Sequence, residues 1–336
     1  MKETGIQWTD STINPVMGCQ GCELWPSAEK IRKLIFKKCE EQKIEVNEDD
    51  FRQHTKDWTT MNFVQNKKKL PLEEPSLGET IINENCKCYA GDLHAKRAGH
   101  KGYARNFDRP EFFAGRVKMA AKWSKLNGKA RMDKPWLNGL PRVIFISDMG
   151  DAFVEGMPFS VLTNELIQPI KDFGDQHIWL LLTKRPDRMA EFGEYLHKNS
   201  ISWPDNLMAM TTVTSQKTLS RVDSLRGVRC KLKGLSVEPL WEEIKLDLSG
   251  INWVIVGGES GSSPKRFEVN WARKILNQCK EQEAAFFLKQ LGKNATDNQE
   301  PLKLSDSHGG KWSEWPDDLR VRVMPMDFSD LGGGSR

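Results

Sequence analysis

The sequence predicts an α/β protein in which parallel strands alternate with helices, either doubly wound or closed toward a barrel. Three observations predict it. Six apolar runs of four or five residues recur through the second half, each is followed by polar residues and a helix-like stretch, and start-to-start spacings of 35, 29, 25, 21 and 32 residues suit successive βα units. The runs are Val143 to Ile146, Ile178 to Leu182, Leu207 to Met210, Leu232 to Leu235, Trp253 to Val256 and Ala285 to Leu288. An earlier run, Ile13 to Met17, supplies a seventh strand that ends just before Cys19. Between the runs, segments such as PFSVLTNELIQPIKDF and NWARKILNQCKEQ repeat apolar positions at three and four and read as crossover helices.

Composition narrows the class. The 336 residues are 38% hydrophobic and 29% charged, and no apolar run approaches the roughly eighteen residues of a membrane span. The opening MKETGIQWTD lacks a charged start followed by an apolar stretch, so a cytoplasmic protein is expected. Seven cysteines in a reducing compartment argue for metal binding or thiol chemistry rather than a disulfide framework. The net charge of +4 is small, yet between Lys87 and Arg142 fourteen Lys and Arg face four Asp and Glu. Tyr89, Tyr103, Phe107, Phe112, Phe113, Trp123 and Trp136 are interleaved there, which suits phosphate contact and base stacking; a solvated helical face around core aromatics gives the same pattern.

Residues 23–85 break the βα rhythm. AEKIRKLIFKKCEEQ and NEDDFRQHTKDW read as charged helices of an inserted arm, with Ile31, Leu34, Ile35, Phe36 and Cys39 on one apolar stripe, which makes Cys39 a core residue. Met61 to Glu74 has no clear periodicity and reads as a loop. The expected organisation is a barrel from 1–22 and 86–326, an insertion at 23–85, and a glycine-serine linker or tag remnant at 327–336.

The strand ends carry Gly18-Cys19, Ser147-Asp148, Thr183-Lys184-Arg185, Thr211-Thr212, Ser236-Val237-Glu238, Gly257-Gly258-Glu259-Ser260 and Lys289-Gln290. Parallel β/α folds place their sites at the carboxyl ends of strands, so this ring of charge, hydroxyl, glycine and thiol is where a catalytic mouth belongs. Cys19 and Cys22 form a Cys-x-x-Cys pair in a glycine-rich turn, and Cys86 and Cys88 lie at the start of a helix-like stretch, where amides favour thiolate. Two close pairs suit a structural zinc ion and an iron-sulfur cluster equally, and a redox dithiol is a third reading of Cys19 and Cys22. Cys230 and Cys279 read as structural. Glycines at 257 and 258 allow close approach of a ligand, and Glu259 beside them can accept from an amine or a ribose.

Several segments carry a resemblance: Ile6-Gln7-Trp8-Thr9-Asp10, Asn14-Pro15-Val16-Met17-Gly18-Cys19, Cys88-Tyr89-Ala90, the run from Phe145 to Phe153, Leu182-Thr183-Lys184-Arg185-Pro186, Leu235 to Leu240, Trp253 to Gly261 and Phe286 to Gln290. Together they resemble the phage-associated gp thirty-seven/sixty-eight family, which looks like a divergent branch of the radical S-adenosylmethionine (radical SAM) enzymes. The resemblance implies a partial β/α TIM-like barrel of the radical SAM type, a 4Fe-4S cluster on three cysteines, and S-adenosylmethionine as the cleaved cofactor. Cys19 and Cys88 match the family's cluster positions. About sixty residues separate Cys22 from Cys86 where the family packs its cysteines into one loop, so the third ligand is Cys22, whose Cys-x-x-Cys turn brings two sulfurs together, with Cys86 the alternative.

With that resemblance, Ser236, Glu238, Gly257, Gly258, Glu259 and Ser260 are expected to line the cofactor site, and Asp148, Asp151, Lys184 and Arg185 to face cofactor or substrate. The implied reaction rearranges or modifies a nucleic acid, such as a hypermodified thymine side chain in phage DNA, in an isomerase-type step fed by an external electron donor. A phage-encoded chain would act inside the bacterial host cell. Two other classes fit the residues: a zinc-stapled, non-catalytic nucleic-acid-binding protein, and a metal-dependent nuclease using Asp148, Asp151, Glu238 and Glu259 as ligands.

Overall fold

The structure is a computed structural model that describes residues 4–261 and 263–330. Seven strands form one all-parallel sheet: β1 (Ser11–Ile13), β2 (Arg142–Ile146), β3 (His177–Thr183), β4 (Leu207–Thr212), β5 (Lys233–Val237), β6 (Trp253–Gly257) and β7 (Ala285–Gln290). Their order in the sheet is their order in the chain, and every neighbouring pair is parallel. A strand order without reversal is that of a barrel wound in one direction, not of a doubly wound sheet, so the sheet curls into a half-barrel. Among the described residues β1 and β7 do not pair with each other, and the barrel stays open between them.

Side chains alternate across the sheet and build two cores. Ile144, Ile146, Trp179, Leu181, Leu207, Ala209, Val254, Val256 and Leu288 face outward against the helices. Val143, Phe145, Ile178, Leu180, Met208, Met210, Trp253, Ile255 and Phe287 face into the concave side with Trp8, Leu137 and Phe328. Trp8 packs against Phe145 at 4.6 Å and Trp253 at 6.2 Å between ring centroids, so aromatic bulk plugs the amino end of the half-barrel. Gly234 makes room on the same face, because a Cβ there would lie 3.0 Å from the Met208 sulfur. The concave side is therefore free only at the carboxyl ends of the strands.

The open side is bridged by backbone and one arginine. Leu288 N–H donates to Val321 at 2.9 Å and Val323 N–H to Phe286 at 3.0 Å, so residues 321–323 run antiparallel along the outer edge of β7. Arg322 lies over the rings of Trp136, Phe287, Trp312 and Trp315 at 4.3 to 5.5 Å, and donates to the carbonyls of Leu288 and Lys289 and to Gln7 Oε1 on the β1 side.

The sequence expectation of one strand over Ile13 to Met17 is corrected. Asn14-Pro15 interrupts it: Ser11–Ile13 belongs to the large sheet, whereas Val16–Met17 pairs antiparallel with Glu111–Phe112. The excursion between β1 and β2 contains α1 (Ala28–Gln42), α2 (Glu48–His54), α3 (Thr60–Asn66), α4 (Pro75–Asn85), α5 (Tyr89–Arg97) and α6 (Arg116–Ala121). Ile31, Ile35, Phe36, Cys39, Phe51, Phe63, Leu77 and Ile81 form a hydrophobic core of the arm's own. Helix α3 and the 3-10 turn Lys67–Lys69 stand where a loop was expected, started by a Thr59–Asn62 capping box and held by buried Met61 and Phe63. The tail also differs: Phe328 is fully buried against Trp253, so the fold extends past 326, while 331–336 lie outside the described residues.

The later crossovers run through Phe159–Leu162, a π turn at Thr163–Ile167 and Gln168–Phe173, then α7 (Pro186–Lys198), α8 (Ser220–Arg226) and α9 (Val269–Glu281). Among the described residues no helix is long and apolar enough to cross a membrane.

His177, at the start of β3, is fully buried, and burial together with the nearby Arg142 charge lowers its pKa from 6.5 to about 4. The unfolded chain takes up this proton first as pH falls, so stability declines below pH 6.5 and continues to decline to about pH 4, by roughly 3 kcal/mol at most. Urea unfolding at pH 7 and pH 4.5 should show that loss in the wild type and a smaller one in His177→Asn.

Candidate active site

Two positions beyond each inward-facing core residue the alternation reaches the mouth: Ser147 after Phe145, Lys184 beyond Leu182, Thr212 after Met210, Ser236 and Glu238 beyond Gly234, Gly257 and Glu259 after Ile255, and Lys289 after Phe287. Five of the residues expected from sequence, Lys184, Ser236, Glu238, Gly257 and Glu259, thus share the concave face. Ser147, Thr212 and Glu259 are buried, and Ser147 Oγ, Thr212 Oγ1 and Glu259 Oε1 have no hydrogen-bond partner. Buried polar atoms are ordinarily satisfied, and three orphans at the ends of β2, β4 and β6 mark a mouth that can take a polar ligand. Ser147 also holds φ 78°, a left-handed conformation uncommon for a residue with a side chain.

The thiols arrive from two segments. Gly18 and Gly21, with φ 97° and 99°, bend the Cys19–Cys22 turn; a Cβ on Gly18 would meet the Phe107 carbonyl at 2.7 Å. Cys19 N–H donates to that carbonyl at 2.7 Å, and Gly18 N–H to Met149 at 3.1 Å. The second segment is zipped to the first, because Leu24 carbonyl accepts from both Lys87 N–H at 2.8 Å and Cys88 N–H at 2.9 Å. Trp25 fixes their spacing: its indole fills the space above Gly91 on α5, where a Cβ would stand 2.5 Å away, and its Nε1 donates to Asp108 at 3.0 Å.

All seven cysteines are free thiols. Burial pushes the Cys22 thiol up to about 12 against the pull of Lys184. Burial also raises Cys88, opposed by Lys184 and by the backbone N–H groups of Gly91 and Ala90. Cys86 is pushed up to about 12 by burial and then by the Asp108 charge. The Lys184 ammonium, which burial alone would weaken, is raised instead by Cys22, Cys88, Glu23 and Cys19. Cys19, Cys22 and Cys88 thus all bear electrostatically on one cation, the Lys184 ammonium at the end of β3. Among the described residues no three His, Cys, Asp or Glu side chains are drawn together as ligands of a single ion.

Asp151 is fully engaged: its carboxylate accepts from Thr183 Oγ1 at 2.7 Å, Phe153 N–H at 2.9 Å, Lys184 N–H at 3.1 Å and Arg185 Nη1 at 3.3 Å. Asp148 accepts from Asn14 Nδ2 at 2.5 Å and Tyr89 hydroxyl at 3.3 Å, and burial raises its pKa despite those bonds. Glu238 is ion-paired with Lys289. Gly258 serves packing rather than ligand approach, since a Cβ there would lie 2.1 Å from the Leu291 carbonyl, while one on Gly257 would meet the Glu238 side chain at 3.2 Å. Ser260 lies half-buried at the rim.

Sequence reasoning missed Glu23, Arg221, Asn14 and Trp25. Glu23, next to Cys22, is gripped by Arg221 of α8 at 2.8 and 2.7 Å, and this pairing keeps its carboxyl below the ordinary range in spite of burial. Lys87, next to Cys88, bonds the Ser263 carbonyl across the mouth. The basic segment divides: Arg131 is paired with buried Asp10, Lys134 donates to the carbonyls of Thr4, Ile6 and Thr9 at 2.7 Å each, and Arg116 bonds Asn14 and Gly102 carbonyls. Lys96, Arg97, Lys101, Arg105 and Arg109 stay exposed on and behind α5, whose first residue, Tyr89, is 57% exposed at the mouth.

Fold and site define a parallel β/α half-barrel protein with half-buried thiols from two joined segments at its carboxyl mouth. The chain belongs to the family described as protein of unknown function (DUF5131), whose model matches residues 71–316. That span takes in Cys86, Cys88 and the strand ends from β2 onward. No match to the chain is found among the curated proteins or among the solved structures.

Gly258→Ala should lower stability by about 2–4 kcal/mol, because the Leu291 carbonyl has to move to admit a methyl group. A urea midpoint equal to that of the wild type would contradict the packing role.

Proposed function

We propose that the protein is a radical SAM enzyme that binds a 4Fe-4S cluster at the mouth of the half-barrel and modifies a nucleic-acid substrate. The observation that carries this reading is that the two cysteine segments are joined through the Leu24 carbonyl, and that Cys19, Cys22 and Cys88 all bear on the Lys184 ammonium at the end of a parallel strand. The donor set fits the group: the thiols are free, and the orphaned Ser147, Thr212 and Glu259 atoms at strand ends of the same mouth offer partners to a polar cofactor. A cluster bound there would supply the electron for reductive cleavage of S-adenosylmethionine.

The chain's own residues do the positioning. Cys22 is the preferred third ligand because it bears on Lys184 together with Cys19 and Cys88; Cys86, which interacts with Asp108 and Cys88 and packs against the same hydrophobic cluster as Cys19 and Cys88, is the alternative. Metal uptake displaces the thiol protons, and the positive charges of Lys184 and Arg185 offset the thiolates that result. Ser236, Gly257, Glu259 and Ser260 hold the adenosylmethionine, with the free Glu259 Oε1 accepting from its amine or ribose and Glu238 presented by Lys289. The exposed cations behind α5 and the Tyr89 ring receive the nucleic acid, as phosphate contacts and a stacking face.

Anaerobic reconstitution with iron and sulfide should give a brown protein whose visible absorption fades on reduction, and which forms 5′-deoxyadenosine from adenosylmethionine. Cys19→Ala and Cys88→Ala should each lose most of the bound iron. Cys22→Ala should do the same while Cys86→Ala retains it; the reverse result would exchange their roles. A colourless protein carrying stoichiometric zinc would sink the reading in favour of a zinc-braced binding protein.

Adenosylmethionine affinity, measured calorimetrically on the reconstituted protein, should fall about tenfold or more in a Glu238→Ala, Glu259→Ala double variant, consistent with charged hydrogen bonds worth about 1.5–3 kcal/mol each. Undiminished binding would remove both residues from the cofactor site.

A further inference from the structure

Arg185 does not reach into the open mouth. It occupies the N-cap position of α7 and its side chain turns back toward the cysteine turn, where Nη1 donates to Cys19 Sγ at 3.6 Å and Nη2 to the Gly21 carbonyl at 3.2 Å. Behind it stands Asp151, 4% exposed, whose Oδ2 accepts from the same Nη1 at 3.3 Å. Asp151 is in turn held by Thr183 Oγ1 and by the backbone N–H groups of Phe153 and Lys184, and Thr183 Oγ1 accepts from Arg185 N–H at 2.9 Å. The carboxylate has its lone pairs occupied, so it has none to spare for a metal or a substrate. The guanidinium is a planar fork whose two arms are both engaged on one turn, an arrangement that lysine cannot reproduce.

We propose that Arg185 is a positioning residue: anchored by Asp151 at the end of β3, it locks the Cys19–Gly21 turn in place and, through its bond to the Cys19 sulfur, raises the reduction potential of the cluster held there. This rests on the cluster reading above. It also removes Arg185 and Asp151 from direct contact with substrate. A cationic donor on a ligating sulfur stabilises the added electron, because net charge and hydrogen bonds to sulfur set the potential of such a centre.

The test has two arms, both on the full-length chain. In the metal-free protein, amide hydrogen exchange of residues 19–22 should speed up about tenfold or more in Arg185→Gln and less in Arg185→Lys, with exchange in β4 and β6 unchanged. In the reconstituted protein, the cluster midpoint followed by electron paramagnetic resonance should shift to a more negative value in Arg185→Gln, with Arg185→Lys in between. A midpoint in Arg185→Gln equal to that of the wild type would overturn the electronic role, and unchanged exchange would overturn the lock. If Arg185→Gln does not fold, Arg185→Lys carries both arms, and wild-type values there would overturn the proposal. Wild-type protein that takes up no cluster would defeat the reading of the preceding subsection and the claim on potential with it, while the exchange comparison still decides the lock.

Discussion

A parallel sheet wound in one direction must have both faces covered, and stopping at seven strands leaves it two edges and an open side. Much of the molecule is fitted to that constraint. Residues 321–323 lie along the edge of β7, and Arg322 spans from β7 carbonyls to Gln7 through a stack of four aromatic rings. On the other edge, Arg131 and Lys134 gather the backbone carbonyls and the Asp10 carboxylate around β1. With the amino end plugged by Trp8, Trp253 and Phe328, the inward-facing positions left uncovered are those at the carboxyl ends of the strands.

The inserted arm explains how two distant cysteine segments meet. It leaves the barrel immediately after Cys22 and returns immediately before Cys86, so an excursion of about sixty residues needs only its two roots joined to bring the thiols together. Leu24 carbonyl joins them, Trp25 sets the spacing to α5, and the Glu23–Arg221 and Lys87–Ser263 contacts tie the roots to the far strands. Closing a longer loop costs little extra entropy, so the insertion is cheap provided that its own core folds. The arm's buried stripe of Ile31, Ile35, Phe36, Phe51 and Phe63 supplies that core.

The six later strands were legible because each is a short aliphatic run buried on both faces, which is what parallel pairing demands of sequence. Their strand-end positions also brought Lys184, Ser236, Glu238 and Glu259 to the mouth as candidates, while their shared face follows from the strand register. What sequence could not convey were partners remote along the chain. Glu23 and Arg221 are 198 residues apart, and Arg131 and Lys134 read as nucleic-acid contacts because their acceptors are mostly backbone carbonyls, which have no sequence signature. Helix α3 escaped notice because seven residues carry too little periodicity, and a capping box with two buried side chains holds it. Phe328 was set aside with a glycine-serine tail although its ring completes the inner core.

The division of labour among the charged residues follows from how many of their hydrogen-bonding positions are already filled. Asp151 is saturated and Arg185 is spent on the cysteine turn, so neither retains the capacity to act on a substrate, however central they look in sequence. Glu259 keeps one oxygen without a partner inside the protein, and Ser147 and Thr212 keep their hydroxyls. Leaving such groups buried and unpaired costs on the order of 1–3 kcal/mol each, a cost that a bound polar ligand would remove. The unfilled positions face the concave side and the filled ones brace the Cys19–Gly21 turn, so the same strand ends provide a rigid thiol-bearing corner and a wall still open to a ligand.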